Sequence, residues 1–241
     1  MYEWCADDPA DLAIPRLPPQ MRIPELLDAT ESDALPFVGD GAPGREEPLV
    51  AIRDPRIRSL AAYWHSGWQY SIPETLLRTG AAGRLSAAAD SLPAGFGLAV
   101  WDAWRDPELQ RVLHDAAYAD PELLPGFVSP PSDDPRTPPP HATGGTVDLT
   151  LTWAGRPLKM GTGFDAFVPA ASARSQEEVP DYASSAIDRD LRRMLRTAMV
   201  GAGFAQLACE WWHFEYGTRL WAAVFGGEPL YPASERPFQL S

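Results

Sequence analysis

The chain has 241 residues, of which 45% are hydrophobic and nine are Trp, enough for one domain with a sizeable core. Its formal net charge of −13 excludes nucleic acid or an anionic membrane as the main partner, because both require a basic face. Lys159 is the only lysine, and its setting "RPLKMGTGF" fits neither a Schiff-base site nor a phosphate-binding loop.

Residues 1–50 are rich in Pro and acidic groups and carry little periodicity. They read as an irregular Pro-rich wrap over a single domain spanning 1–241. The N-terminal "MYEWCADDPADLAIPRLPPQ" lacks the basic start and apolar run of a signal peptide. No apolar stretch approaches the roughly 20 residues of a membrane span. A soluble cytoplasmic protein is the expectation. Cys5 and Cys209 are two isolated thiols and make neither a disulfide framework nor a Cys-rich metal site.

The first helix is expected over 71–95, with Ser71 as cap and Pro73 and Glu74 in its first turn, although Gly80 and Gly83 weaken its middle. "FGLAVWDAWR" (96–105) reads as a strand. Asp106, Pro107 and Glu108 then open a helix over 106–120. The Pro-rich stretch 121–140 is long enough to be a lid or a cleft wall. "TVDLTLTW" (146–153) alternates as a strand, and a second long loop follows. The best helix is 184–203, with Ile187, Leu191, Leu195, Met199 and Val200 on one stripe. "FAQLACEWWHFEY" reads as a final strand. Strands and helices mix without strict βαβ alternation, so the fold class is α+β, a small antiparallel sheet flanked by helices.

The chemistry gathers in "HATGGTVDLTLTW" and "CEWWHFEYG". Period-two alternation puts Val147, Leu149, Leu151 and Trp153 on a core face and Asp148, Thr150 and Thr152 on a polar one. In a continuous strand His141 would lie roughly 23 Å from Asp148 and on the opposite face. Gly144 and Gly145 allow a tight turn that brings it back. A His and an Asp meeting at a strand's mouth suit a zinc ion, which in a catalytic site takes a third protein ligand and keeps one position open. "EWWHFEY" offers Glu210 and His213. Their spacing of three suits one face of a helix, whereas the aromatic run suggests a strand, in which a bulge would be needed for both to serve one site. A His ligand beside a non-ligand Glu is metallopeptidase logic: the metal lowers the pKa of its water and the carboxylate takes the proton. A lone buried His or Asp is more often a structural hydrogen-bonding group, and the combined pattern is what specifies the site.

H-x-x-G-x-x-x-D followed by E-x-W-H resembles the D-alanyl-D-alanine dipeptidases of the vancomycin-resistance (VanX) type, zinc metallopeptidases that share a fold with Hedgehog domains. The resemblance covers about residues 95–220. It implies one Zn²⁺ per chain held by His141, Asp148 and His213, with Glu210 as general base. It also implies that Arg105 in "WDAWRDP" stabilises the anionic intermediate. In "MGTGFD" (160–165) it implies that Asp165 holds the substrate's free amino group. Two positions depart from the pattern: Pro139 stands where the family has a substrate-touching Ser, and Thr146 where it has Ala.

The resulting expectation is a zinc dipeptidase acting on D-alanyl-D-alanine or a similar small dipeptide, a hydrolase of cell-wall turnover or antibiotic resistance. A D,D- or L,D-carboxypeptidase, or a relative acting on another small peptide or amide, predicts a longer, open cleft. A zinc-stabilised binding domain needs neither Glu210 nor Arg105. His and Asp ligands also admit Co²⁺, Ni²⁺ or Fe²⁺. Outside the motifs, His65 and His114 read as packing or surface groups, Asp102 as an orienter of Arg105 or a surface acid, and Glu215 as a partner of the site or an exposed acid.

Overall fold

Strand β5 (Thr146–Trp153) runs through the middle of a six-stranded sheet. On one side it pairs antiparallel with β4 (Phe96–Asp102), on the other with β8 (His213–Glu215). β2 (Ile57–Ser59) lies parallel along the outer side of β4, and β7 (Ala205–Gln206) antiparallel along β8. The two-residue β6 (Arg156–Pro157) folds back on the end of β5. The sheet is therefore antiparallel except at its β2 edge. A separate ribbon joins β1 (Leu49–Ala51) to β3 (Leu76–Arg78). The computed structural model describes residues 6–28, 34–123, 126–181, 183 and 185–236, so Cys5 and the expected helix start at Ser184 lie outside the described residues.

Val147, Leu149 and Leu151 are fully buried and share one apolar cluster with helices α2 (Thr79–Ser91) and α4 (Ala186–Gly201). Leu191, Leu195 and Met199 supply the buried stripe of α4, as their spacing predicts. The second face of β5 is buried as well: the Thr150 hydroxyl donates to the Leu158 carbonyl at 2.7 Å. Helix α3 (Pro107–Ala117) starts as expected, its Asp106 carboxylate accepting the Glu108 N–H at 2.9 Å.

Two expected elements differ. The helix read over 71–95 begins only at Thr79. Leu76–Arg78 are captured as a strand by Leu49–Ala51, and the Ser71 hydroxyl donates to Trp68 O instead of capping a helix. The strand read over "FAQLACEWWHFEY" is a hairpin, in which β7 and β8 flank a turn through 207–212. Hydrophobic content marked the segment as extended, but polar Glu210 had to leave the strand line. The short helices α1 (Ala62–His65) and α5 (Arg219–Phe225) carry no clear periodicity in sequence. The described residues 6–48 include a 3-10 turn at Pro9–Asp11 and an isolated bridge from Asp7 to Leu158.

The two glycines before β5 have different reasons. Gly144 has φ +75°, the left-handed conformation the turn needs. Gly145 is needed for closeness: a Cβ there would run into the Tyr216 carbonyl oxygen. Arg78 locks the same turn. Its backbone N–H donates to Gly144 O at 2.8 Å and its Nε to Thr143 O at 3.0 Å. Its other nitrogens reach the carbonyls of Arg45, Glu47 and Pro232.

Because the atom opposing a new Cβ at Gly145 is backbone, Gly145→Ala is expected to destabilise the protein by about 1–3 kcal/mol, the usual cost of overpacking. Urea denaturation of the variant against wild type measures this, and an unchanged midpoint would refute it.

Candidate functional site

His141 sits in a one-turn 3-10 helix (Pro140–Thr143) that the Gly144 turn folds back against the mouth of β5. Asp148 is the third residue of β5, and its register partner is His213, the first residue of β8. On the other side of β5, Asp102 pairs with Asp148 across an irregularity at the end of β4. Directly opposed residues share a face, so Asp102, Asp148 and His213 form a row across three strands. Glu210 lies in the turn just before β8. The sequence left helix and bulged strand open for the Glu210–His213 spacing, and a turn entering a strand replaces both.

One ligand atom from each of His141, Asp148 and His213 lies within 4.8 Å of the others. All three side chains are buried. His141 Nε2 is 3.2 Å from Asp148 Oδ2, and His213 Nδ1 is 3.0 Å from Asp148 Oδ1. The outer ring nitrogens are occupied elsewhere. His141 Nδ1 donates to Ala103 O at 2.7 Å, and His213 Nε2 to Glu215 Oε1 at 2.9 Å. With its outer nitrogen so held, each ring turns its inner nitrogen toward the common centre, as ligating histidines do. The donor set fits a divalent metal on this ground.

Glu210 Oε2 approaches His213 Nδ1 at 3.5 Å. Burial pushes its carboxyl up to about 8, with the Asp148 and Asp165 charges adding to the rise. Arg105 is fixed by Asp102, which takes its Nε at 2.9 Å, and by Gln110, which takes Nη1 at 2.7 Å. Its Nη2 also meets Asp102 Oδ2, at 2.9 Å, and lies 3.8 Å from Asp148 Oδ2 and 3.4 Å from the Tyr63 hydroxyl. The Tyr63 hydroxyl in turn donates to Asp165 Oδ2 at 2.8 Å. Asp165 adopts φ +55°, a left-handed conformation that aims a half-buried side chain at the cleft. Burial and the Asp148 charge raise its carboxyl to about 7. For His213, burial alone lowers the pKa, but the Asp148 and Glu215 carboxylates override it and hold the ring proton well above the usual range.

All six residues singled out in sequence, His141, Asp148, His213, Glu210, Arg105 and Asp165, line one cavity of about 660 Å³. Gly126–Ser132 and Thr137–Pro140 wall it, so the Pro-rich loop borders the cleft and Pro139 faces into it. Helix α3 contributes Gln110 and Leu113. Tyr63 and Gln110 had no motif to mark them. Neither did Arg192, whose Nε donates to Met160 O at 2.7 Å while its guanidinium lies 5.3 Å over the Trp211 ring. Trp211 Nε1 donates to Thr162 Oγ1 at 2.8 Å, which ties the loop bearing Asp165 to the turn bearing Glu210. His65 and His114 are not in the cavity lining.

A profile of the family described as D-ala-D-ala dipeptidase matches residues 69–227. This chain belongs to that family. The dipeptidase is 31% identical to the D-alanyl-D-alanine dipeptidase of Synechocystis, a match covering 73% of this chain and 84% of that one. The Streptomyces coelicolor enzyme of the same name is 34% identical over 56% of this chain and 68% of its own. A solved vancomycin-resistance D,D-dipeptidase, VanXYg with a D-Ala-D-Ala phosphinate analogue, aligns at 21% identity and TM-score 0.42, covering 76% of this chain and 61% of that one. Membership makes the protein a metal-dependent dipeptidase. Among the described residues no helix is long and apolar enough to cross a membrane.

The titration pattern has a consequence for the metal-free protein. Glu210, Asp165 and His213 all hold protons in the fold to higher pH than in the unfolded chain, where Glu, Asp and His titrate near about 4.3, 3.9 and 6.5. The folded state therefore binds more protons between these limits, and stability is lost as pH rises through the folded values. After chelation the melting temperature is expected to fall from pH 6 to pH 8, with a smaller fall in Glu210→Gln. A flat or rising trend would contradict the assignment.

Proposed function

We propose that the protein is a zinc dipeptidase that hydrolyses D-alanyl-D-alanine. The observation carrying this reading is the convergence of a three-ligand cluster, a buried carboxylate and an oriented guanidinium on one cleft. His141, Asp148 and His213 would hold the metal. Two imidazoles and one carboxylate suit Zn²⁺ with a position left open. When bound there, the ion supplies Lewis-acid polarisation of the scissile carbonyl and lowers the pKa of water.

The chain's own residues do the rest. Glu210 accepts the proton of the attacking water and returns it to the leaving amine. A carboxyl raised toward neutrality is matched to a group that must do both. Arg105, held by Asp102 and Gln110, presents Nη2 to the carbonyl oxygen as negative charge develops, so its orientation is set before reaction. Asp165 pairs with the substrate ammonium, and Tyr63 fixes the carboxylate for it. A requirement for a free N-terminus there favours dipeptides. Walls from the Pro-rich loop and α3 close the cleft to a size within the range of small-molecule sites.

D-Ala-D-Ala should be cleaved with release of D-alanine, L-Ala-L-Ala should not, and prior chelation should abolish the activity. Glu210→Gln should keep stoichiometric zinc and lose about 10²–10⁴-fold in kcat. Asp165→Ala that retained wild-type KM for the dipeptide would refute the ammonium assignment and favour the carboxypeptidase reading. Inertness of the metal-loaded wild type toward every D- and L-dipeptide would favour a binding domain.

A further inference from the structure

The face of the sheet that carries Asp148 and His213 continues one step along both strands. The next cross-strand pair is Thr146 opposite Glu215. Both side chains are buried, at 0% and 2% exposure. Glu215 Oε1 accepts the outer N–H of His213 at 2.9 Å. Its second oxygen, Oε2, has no hydrogen-bond partner, and neither does the Thr146 hydroxyl. On the β7 side Glu215 faces Ala205, which offers only a methyl group. Directly opposed side chains have Cβ atoms about 4.5–5.5 Å apart, so a rotation about one χ1 brings the Thr146 hydroxyl to the carboxylate. Two buried polar atoms left apart cost more than the same two joined.

We infer that Glu215 is a positioning residue for the metal ligand His213, and that Thr146 donates its hydroxyl to Glu215 Oε2 to hold that carboxylate in place. The two histidines are then supported differently. His141 leans chiefly on the Ala103 carbonyl at 2.7 Å, with Asp102 Oδ2 further off at 3.3 Å. His213 leans on a side chain that is itself steadied by a residue of the neighbouring strand. The pair fixes the His213 N–H on Nε2 and so keeps Nδ1 directed at the centre. The inference rests on the proposed metal reading of His141, Asp148 and His213.

Zinc affinity, measured by competition with a chromophoric chelator, tests it without substrate. Glu215→Gln should weaken zinc about 10–100-fold. Thr146→Val should weaken it about fivefold, the equivalent of one neutral hydrogen bond. Thr146→Ser should restore wild-type affinity, and the Glu215→Gln/Thr146→Val double variant should bind no more weakly than Glu215→Gln alone. In the zinc-loaded protein the His213 Nε2–H resonance should move upfield in both single variants. Wild-type affinity and resonance in Glu215→Gln and Thr146→Val would overturn the inference. If Glu215→Gln does not fold, an affinity for Thr146→Val equal to that of Thr146→Ser overturns it alone. A wild type that binds no zinc would overturn the metal reading itself, and this inference with it.

Discussion

Asp148 faces His213 across one side of β5 and Asp102 across the other. A slip of one residue in either pairing would turn that side chain to the opposite face of the sheet. The register is pinned by what alternates with these residues: Val147 opposite Phe214 and Leu149 opposite Val100, all fully buried. Core packing therefore sets the position of the chemistry. The hydrophobic face specifies which strands meet and in what phase, and the polar row follows from it.

That row concentrates negative charge. Asp102, Asp148, Asp165, Glu210 and Glu215 crowd around one guanidinium and two imidazoles. Buried carboxylates need cations within reach, and Arg105 alone does not supply enough. The raised pKa values of Glu210 and Asp165 are the expression of that shortage, because burial and mutual repulsion favour their neutral forms. A divalent ion at the His–Asp–His centre would relieve it. The same excess explains why the site tolerates, and requires, an arginine held rigidly by Asp102 and Gln110.

Much of this was legible in sequence because it is local. The alternation of 146–153, the Asp106 cap and the stripe of α4 are properties of a few neighbouring residues, and the structure follows them. The approach of His141 to Asp148 was readable because two glycines stand between them. Readings failed where a distant segment decides the outcome. Leu76–Arg78 look helical until Leu49–Ala51 pair with them. The hairpin in 204–216 depends on β8 finding β5. Tyr63 and Arg192 act through long-range hydrogen bonds, and no spacing rule reports a partner 102 residues away, as for Tyr63 and Asp165.

Arg78 gathers carbonyls from Arg45, Glu47, Thr143 and Pro232 around one buried guanidinium. Those four acceptors come from segments as far apart as Arg45 and Pro232, and the turn they clamp carries His141. The last contributor lies 154 residues from Arg78. A chain emerging from the ribosome thus completes the clamp on its His141 turn only after residue 232 has been made. Ions met earlier encounter isolated side chains instead of a formed centre. Synthesis order thus places the geometry proposed for the metal after the segments that clamp it.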